Sequence, residues 1–205
     1  MVRTPAQLKT ETLSLQVPKT IKLYVTQEQF AVLAASNREL QLERTAQGEL
    51  IVNPPTGWET GKRNFSIIGQ LHRWYDENGA IGEAFECSTG FTLPNGAIRS
   101  PDAGWISQER WDALTDEQKG TFANICPDFV VELRSESDTL KLLQAKMQEY
   151  MENGARLGWL IDPQTRTVEV YRVGLDVEVL SNPAELSGEG VLPGFVLNLC
   201  RVWGE

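Results

Sequence analysis

The sequence predicts a mixed α/β chain, a β-sheet with helices against it, preceded by an N-terminal helix and hairpin. Three observations carry that expectation. Residues 129–133 read FVVEL, the near-continuous apolar run of a strand buried on both faces. The following DTLKLLQAKMQEYMENG places its apolar residues at helical spacing. Short apolar runs separated by turn residues, GWLID, TVEVYR and VEVL, then read as further strands.

The first twenty residues are polar, contain Pro5 and Pro18, and read as an N-terminal arm. Residues 21–205 read as a single domain, because 205 residues of 41% hydrophobic content fill one core well and are short for two. TQEQFAVLAASN is a helix capped by Thr26, with Phe30, Leu33 and Ala34 at helical spacing. ELQLERT and GELIVNPP form a hairpin about Ala46-Gln47-Gly48, with Glu43 and Glu49 as charges beside the turn. ETGKRNFSIIGQLHRWYDENG is a longer helix that directs Phe65, Ile68, Leu71 and Tyr75 inward and stops at Asn78-Gly79. GEAFEC and TGFTLP are short strands, Asn95-Gly96 is a turn, and RSPDAGWIS is the next strand. Helical patterns around SQERWDAL and TDEQKGTFANI lead to CPDFVVELRS. After the turn at Asp162–Thr165, the chain is expected to end as a meander that extends the sheet, with VLPGFVLNL as its last run.

Composition excludes several classes. A net charge of −9 argues against a general nucleic-acid-coating protein, whose affinity comes from clustered Lys and Arg. It leaves room for a nuclease, which concentrates acid at a metal site and can keep a local basic groove. Lys62, Arg63, Arg73, Arg99, Arg134, Lys141 and Arg156 are candidates for that groove, and scattered solvated charges are the alternative. Three cysteines at unrelated spacings indicate neither a disulfide framework nor a zinc site. One histidine, His72, cannot build a histidine metal cluster, and no motif supplies the partners of a nucleophilic triad. The tryptophans read as core or loop anchors rather than a base-stacking platform. With no apolar stretch of signal-peptide or membrane-spanning length, the expectation is a cytoplasmic protein without a membrane partner.

The chemistry-bearing residues are acidic. Period-two geometry sends Asp128, Val130, Glu132 and Arg134 to one face of their strand and Phe129, Val131 and Leu133 to the other. Asp102 precedes Glu132 by 30 residues, a connection long enough to lay the two strands side by side. At about 100° per residue, Leu142, Tyr150, Leu143, Met147, Leu140 and Met151 fill one arc of the next helix. Lys146 falls inside that arc, whereas Lys141, Gln148 and Glu152 lie opposite. An inward lysine either snorkels past its neighbours or meets a buried carboxylate, and Glu132 and Asp102 are the available partners. Two carboxylates on neighbouring strands plus such a lysine form the parts of metal-assisted phosphodiester hydrolysis. The same residues would equally make a buried ion-pair network that only fixes the strands.

The segments PPTGWETGKRN, STGFTLPNGAIRSPDAGWIS, CPDFVVELRSESDTLKLLQAKMQEYMENGARLGWLIDPQTRTVEVYR and LSGEGVLPGF together resemble the Uma-two family of restriction-endonuclease-like proteins. That family is abundant in cyanobacteria and belongs to the PD-(D/E)XK nuclease superfamily. The likeness runs from about Leu40 to the C-terminus. It implies a restriction-endonuclease-like mixed central sheet flanked by helices and metal-dependent cleavage of DNA, with Mg²⁺ as cofactor and Mn²⁺ as a substitute. By position, Asp102 in SPDAGW resembles the first acidic residue of the motif, and Glu132 in VVELRS the second, both as metal ligands. Where the usual lysine would stand, this chain has Arg134, and Lys146 in QAKMQEY resembles a lysine moved from strand to helix. Glu49 resembles an upstream acid that completes the site, or is surface charge on its hairpin; Asp128 opens its strand, with metal contact as a second role. Cutting two antiparallel strands suits a homodimer. The rival expectation is a catalytically inactive descendant of the fold, a nucleic-acid-binding or protein-interaction module, favoured by Arg134 and the acidic balance. Geometry separates the two, since an enzyme needs Asp102, Glu132 and Lys146 together.

Overall fold

The computed structural model describes residues 21–205, and the expected arm over 1–20 lies outside the described residues. The chain begins with β1 (Leu23–Tyr24), α1 (Gln27–Ser36), the hairpin β2 (Gln41–Arg44) and β3 (Glu49–Asn53), and the long α2 (Trp58–Asn78). It continues through β4 (Gly82–Glu86), β5 (Phe91–Thr92), β6 (Ile98–Arg99), β7 (Ala103–Ser107), α3 (Gln108–Asp112), α4 (Asp116–Lys119) and β8 (Phe129–Leu133). Then come α5 (Leu140–Glu152), β9 (Leu157–Asp162), β10 (Thr167–Arg172), β11 (Glu178–Ser181), β12 (Glu185–Ser187), β13 (Val196–Asn198) and α6 (Cys200–Trp203). Thr26 starts α1 as expected. Its hydroxyl accepts from Gln29 N while the Gln29 side chain accepts from Thr26 N, so two otherwise unpaired donors are satisfied.

The mixed class is as expected. A six-stranded sheet runs in the order β11-β10-β9-β8-β7-β4, and a five-stranded sheet in the order β1-β3-β2-β6-β5; β12 and β13 form a separate pair. Within the large sheet only β8 and β9 are parallel, because α5 carries the chain back between them. β7 lies antiparallel to β8, with Ala103 opposite Val131, which brings Asp102 to the end of the strand that carries Glu132.

Both faces of this sheet are covered. On one, Phe129, Val131, Leu133 and Trp159 pack against Ile67, Leu71 and Trp74 of α2 and against Leu197, Val202 and Trp203. On the other, Val130, Ile106 and Leu160 meet Met147 and Tyr150 of α5. Period-two alternation along β8 therefore places Glu132 on the α5 side, inside a core.

Four local expectations are corrected. α2 turns Ile67, Leu71 and Trp74 inward, a stripe at i, i+4 and i+7, so Phe65 lies off that stripe and is 81% exposed. Leu142 likewise leaves the α5 arc and is 69% exposed, because β8 and β9 cover only the Met147–Tyr150 side. The segment 121–125 is not helical; α4 stops at Lys119, capped by Gly120, and Thr92 N bonds to Ala123 O instead. The chain end does not simply extend the sheet: only Val196–Asn198 of VLPGFVLNL is strand, paired with a β12 not expected from sequence.

Gly82 fixes how β4 lies on β7. A Cβ there would stand 2.3 Å from Ile106 O and 2.4 Å from the Trp105 ring, both held by the sheet core. Gly82→Ala is expected to cost about 2–3 kcal/mol, as overpacking of a filled core does, measured as a lowered midpoint in urea unfolding with unchanged slope.

Candidate functional site

Three elements converge on one ammonium group. Lys146 Nζ on α5 stands 2.8 Å from Glu132 Oε1 of β8 and 2.8 Å from Glu43 Oε1 of β2, and donates to Ser100 O at 3.3 Å. Of the two fates open to an inward lysine, it takes the buried ion pair. Tyr150, one turn on along α5, donates its hydroxyl to Glu132 Oε1 at 3.1 Å. Glu43 also receives Ser100 N at 3.0 Å and Arg99 Nη1 at 3.2 Å, and Arg99 Nε reaches Glu149 at 2.6 Å.

Asp102 enters from the neighbouring strand. Its Oδ2 accepts from Leu133 N at 2.7 Å, the residue after Glu132, and its Oδ1 accepts from Asn64 Nδ2 of α2 at 2.8 Å. One backbone amide and one side-chain amide thus hold the carboxylate at the Glu132 end of β8.

Burial and mutual repulsion set the protonation states. Burial, aided by the charges of Asp102 and Glu43 and opposed by Lys146, pushes the Glu132 carboxyl up to about 8. Burial raises Asp102 also, against the Leu133 amide, Lys146 and Asn64. For Glu43 burial is outweighed by Lys146 and Arg99, which hold it below the usual carboxylate range. For Lys146 burial is outweighed by Glu132 and Glu43, so the amine is held charged. The group thus keeps its lysine charged, and Glu132 holds a proton within reach of neutral pH.

The other nominated residues lie elsewhere. Glu49 is not among the groups around Lys146; it lies two residues along β3 from Ile51, the residue opposite Glu43, and pairs with Lys22 at 2.8 Å. Asp128 is buried but fastens neighbouring segments, accepting Ser107 N at 2.9 Å and pairing with Arg110 at 3.0 Å. Arg134 pairs with Asp162 at the end of β9 at 2.7 Å. Most of the candidates for a basic groove have partners within the chain. Arg99 and Arg134 are spent on carboxylates, Arg156 faces Asp128 at 3.8 Å, Lys62 pairs with Glu59, and Arg63 donates to Val202 O. His72 lies on the surface beside Asp76 at 3.6 Å.

Sequence reasoning missed Glu43, Tyr150 and Asn64 as members. Glu43 sits in the polar alternation of QLER, which looks like a solvated face until β6 and α5 cover it. Tyr150 falls on the inward arc, and its position one turn after Lys146 is the signal that could have found it. For Asn64 the sequence carries none, since its meeting with Asp102 joins residues 38 apart.

Donor chemistry fits a hard divalent cation. Both bonds that Glu132 receives fall on Oε1, leaving Oε2 without a partner among the described residues. No group of three or more His, Cys, Asp and Glu side chains suited to a metal occurs among the described residues, so an ion would rest on two carboxylates with water and substrate. Magnesium is commonly held that way.

The fold around these residues is a mixed sheet crossed by one parallel βαβ step, with Asp102 and Glu132 on adjacent strands and Lys146 on the crossover helix. The chain belongs to the Uma2 family, described as "Putative restriction endonuclease", whose model matches residues 27–200. It is similar in structure to a crystal structure from Anabaena variabilis described as "a putative nuclease belonging to DUF820". The TM-score is 0.70 at 22% identity, covering 88% of this chain and 98% of that one. No relative of the chain is found among curated proteins.

The raised Glu132 pKa has a measurable consequence. A carboxyl that holds its proton more tightly folded than unfolded stabilises the fold fully below about pH 4.5, and that contribution is lost as pH rises to about 8. Urea unfolding of the metal-free protein is expected to show stability falling across this window, and Glu132→Gln to flatten the fall.

Proposed function

We propose that the protein is a divalent-cation-dependent endonuclease that hydrolyses DNA phosphodiester bonds, with residues 21–205 acting as one catalytic domain. The observation that carries this reading is Lys146 Nζ at 2.8 Å from Glu132, on the strand end where Leu133 N holds Asp102. Asp102 and Glu132 would hold the ion, Mg²⁺ with Mn²⁺ as a substitute. Such an ion, when bound, supplies positive charge at the phosphate and favours ionisation of water near pH 7.

This chain's own residues do the rest. Lys146, charged throughout the working range, orients the attacking water beside Glu132 or offsets charge developing on the phosphate. Tyr150 and Glu43 hold Lys146 and Glu132 in register. Attack is in line with the leaving 3′-oxygen, and the product carries a 5′-phosphate. Two antiparallel strands in a duplex suit a two-fold pair of chains, so the active form is read as a homodimer. Three cysteines, all free, accord with a reducing compartment, and action in the cytoplasm is read from them. No described helix is long and apolar enough to cross a membrane.

A second reading has its own support. Glu132 and Glu43 already pair with Lys146, and a network so neutralised also suits an inactive nucleic-acid-binding or protein-interaction module.

Supercoiled plasmid incubated with Mg²⁺ or Mn²⁺ decides between them. The unaltered protein is expected to nick and linearise the plasmid. Asp102→Ala, Glu132→Ala and Lys146→Ala, purified identically, should each lose at least about 10²-fold, the usual cost of removing one charge-stabilising group. Cutting that survives all three substitutions would sink this assignment, and inactivity of folded, metal-loaded wild type on double- and single-stranded DNA would favour the module.

A further inference from the structure

The geometry points to Asn64 as a neutral oxygen ligand of the site's divalent cation, reached by turning its side-chain amide over; the inference rests on the nuclease reading above. Asn64 Nδ2 donates to Asp102 Oδ1 at 2.8 Å, while Asn64 Oδ1 is buried without a hydrogen-bond partner among the described residues. Asp102 imposes that choice, since the reversed amide would set two oxygens against each other at the same distance.

A cation removes the objection. Neighbouring oxygens on an octahedral magnesium, each about 2.0–2.1 Å from the ion, stand about 2.9 Å apart. That is close to the separation already present between the Asn64 amide and the Asp102 carboxylate. The terminal amide torsion is broad and roughly two-fold, so reversal exchanges Nδ2 and Oδ1 with little change elsewhere. It swaps the amide nitrogen at Asp102 for an oxygen.

The site has a use for such a donor. No third His, Cys, Asp or Glu joins the two carboxylates in a metal-holding group among the described residues. A neutral amide fills a coordination position without cancelling more of the ion's charge, leaving that charge for the phosphate. Packing of α2 holds the amide in place. Ile67, Leu71 and Trp74 bury the inner stripe of that helix against the sheet face opposite α5, and Asn64 lies one turn before the stripe.

Mn²⁺ binding, followed by the electron paramagnetic resonance signal of the free ion, and thermal unfolding in EDTA or Mn²⁺ test the assignment without any cleavage. Asn64→Ala is expected to weaken Mn²⁺ about tenfold. Asn64→Asp sets two carboxylates together, so it should melt below wild type in EDTA and gain more from Mn²⁺ than wild type does. A residue that merely hydrogen-bonds Asp102 would give an Asn64→Asp protein destabilised equally in both media, and that result overturns the proposal. So does an unchanged Mn²⁺ affinity in Asn64→Ala; if that protein does not fold, the Asn64→Asp comparison decides. When Asp102→Ala abolishes binding and neither Asn64 substitution alters it, the Asn64 assignment alone fails. Absence of binding by wild type, or binding indifferent to Asp102→Ala, overturns it together with the nuclease reading.

Discussion

The rest of the site depends on one buried ammonium. Lys146 is the point where the five-stranded sheet, through Glu43 on β2, meets the six-stranded sheet, through Glu132 on β8. Neither carboxylate would be tolerated alone at that depth, and removing one partner from a buried ion pair typically costs about 3–5 kcal/mol. Well-packed apolar residues could have joined these sheets at no such risk, so a stability argument does not explain why the charges are there. Their value lies in what they keep available, a carboxylate and a cation fixed beside each other within a core.

The charges also do not balance. Around this point stand Glu43, Glu132, Asp102 and Glu149 against Lys146 and Arg99, four acids to two bases, a surplus of two negative charges if all are ionised. Part of that surplus is relieved by the proton on Glu132, whose carboxyl is held up to about 8. A divalent cation would match the whole of it. The same surplus explains why Glu43 and Glu132, two glutamates paired with one lysine, shift in opposite directions. Glu43 has a second cation in Arg99 and is held below its ordinary range, whereas Glu132 faces Asp102 with Lys146 alone.

Legibility in the sequence follows the range of the interactions. Strand β8, helix α5 and the inward placement of Lys146 are readable because period two and period 3.6 are local and strong. The adjacency of Asp102 and Glu132 is readable because the connection between their strands permits pairing, and the antiparallel register of β7 on β8 realises it. Phe65 and Leu142 are misplaced by the pattern because an apolar residue at the margin of a helical stripe is buried only if a neighbouring element reaches it, which periodicity does not report. Glu43 reads as a turn-side charge for a related reason. Its strand alternates like a half-exposed hairpin, and the cover over it comes from β6 and α5, 56 and 103 residues later at Arg99 and Lys146. Asn64 has no local signature at all.

If the protein acts on DNA as proposed, its acidic balance sets a constraint that the internal ion pairs sharpen. The net charge is −9, and Arg99 and Arg134 are spent on buried or half-buried carboxylates and are not free to draw phosphate in. Surface lysines act through water and are screened within about 10 Å at moderate salt. Under the proposed reading the cation therefore does two jobs, lowering the barrier at the phosphorus and providing much of the attraction that brings the phosphate there. Affinity for substrate and affinity for metal are then coupled, and by reciprocity each must strengthen the other. A metal-free protein that keeps Glu132 protonated and Lys146 paired is, on the same logic, a weak binder of nucleic acid. Under that reading the network that closes the core without the ion would also guard against idle binding.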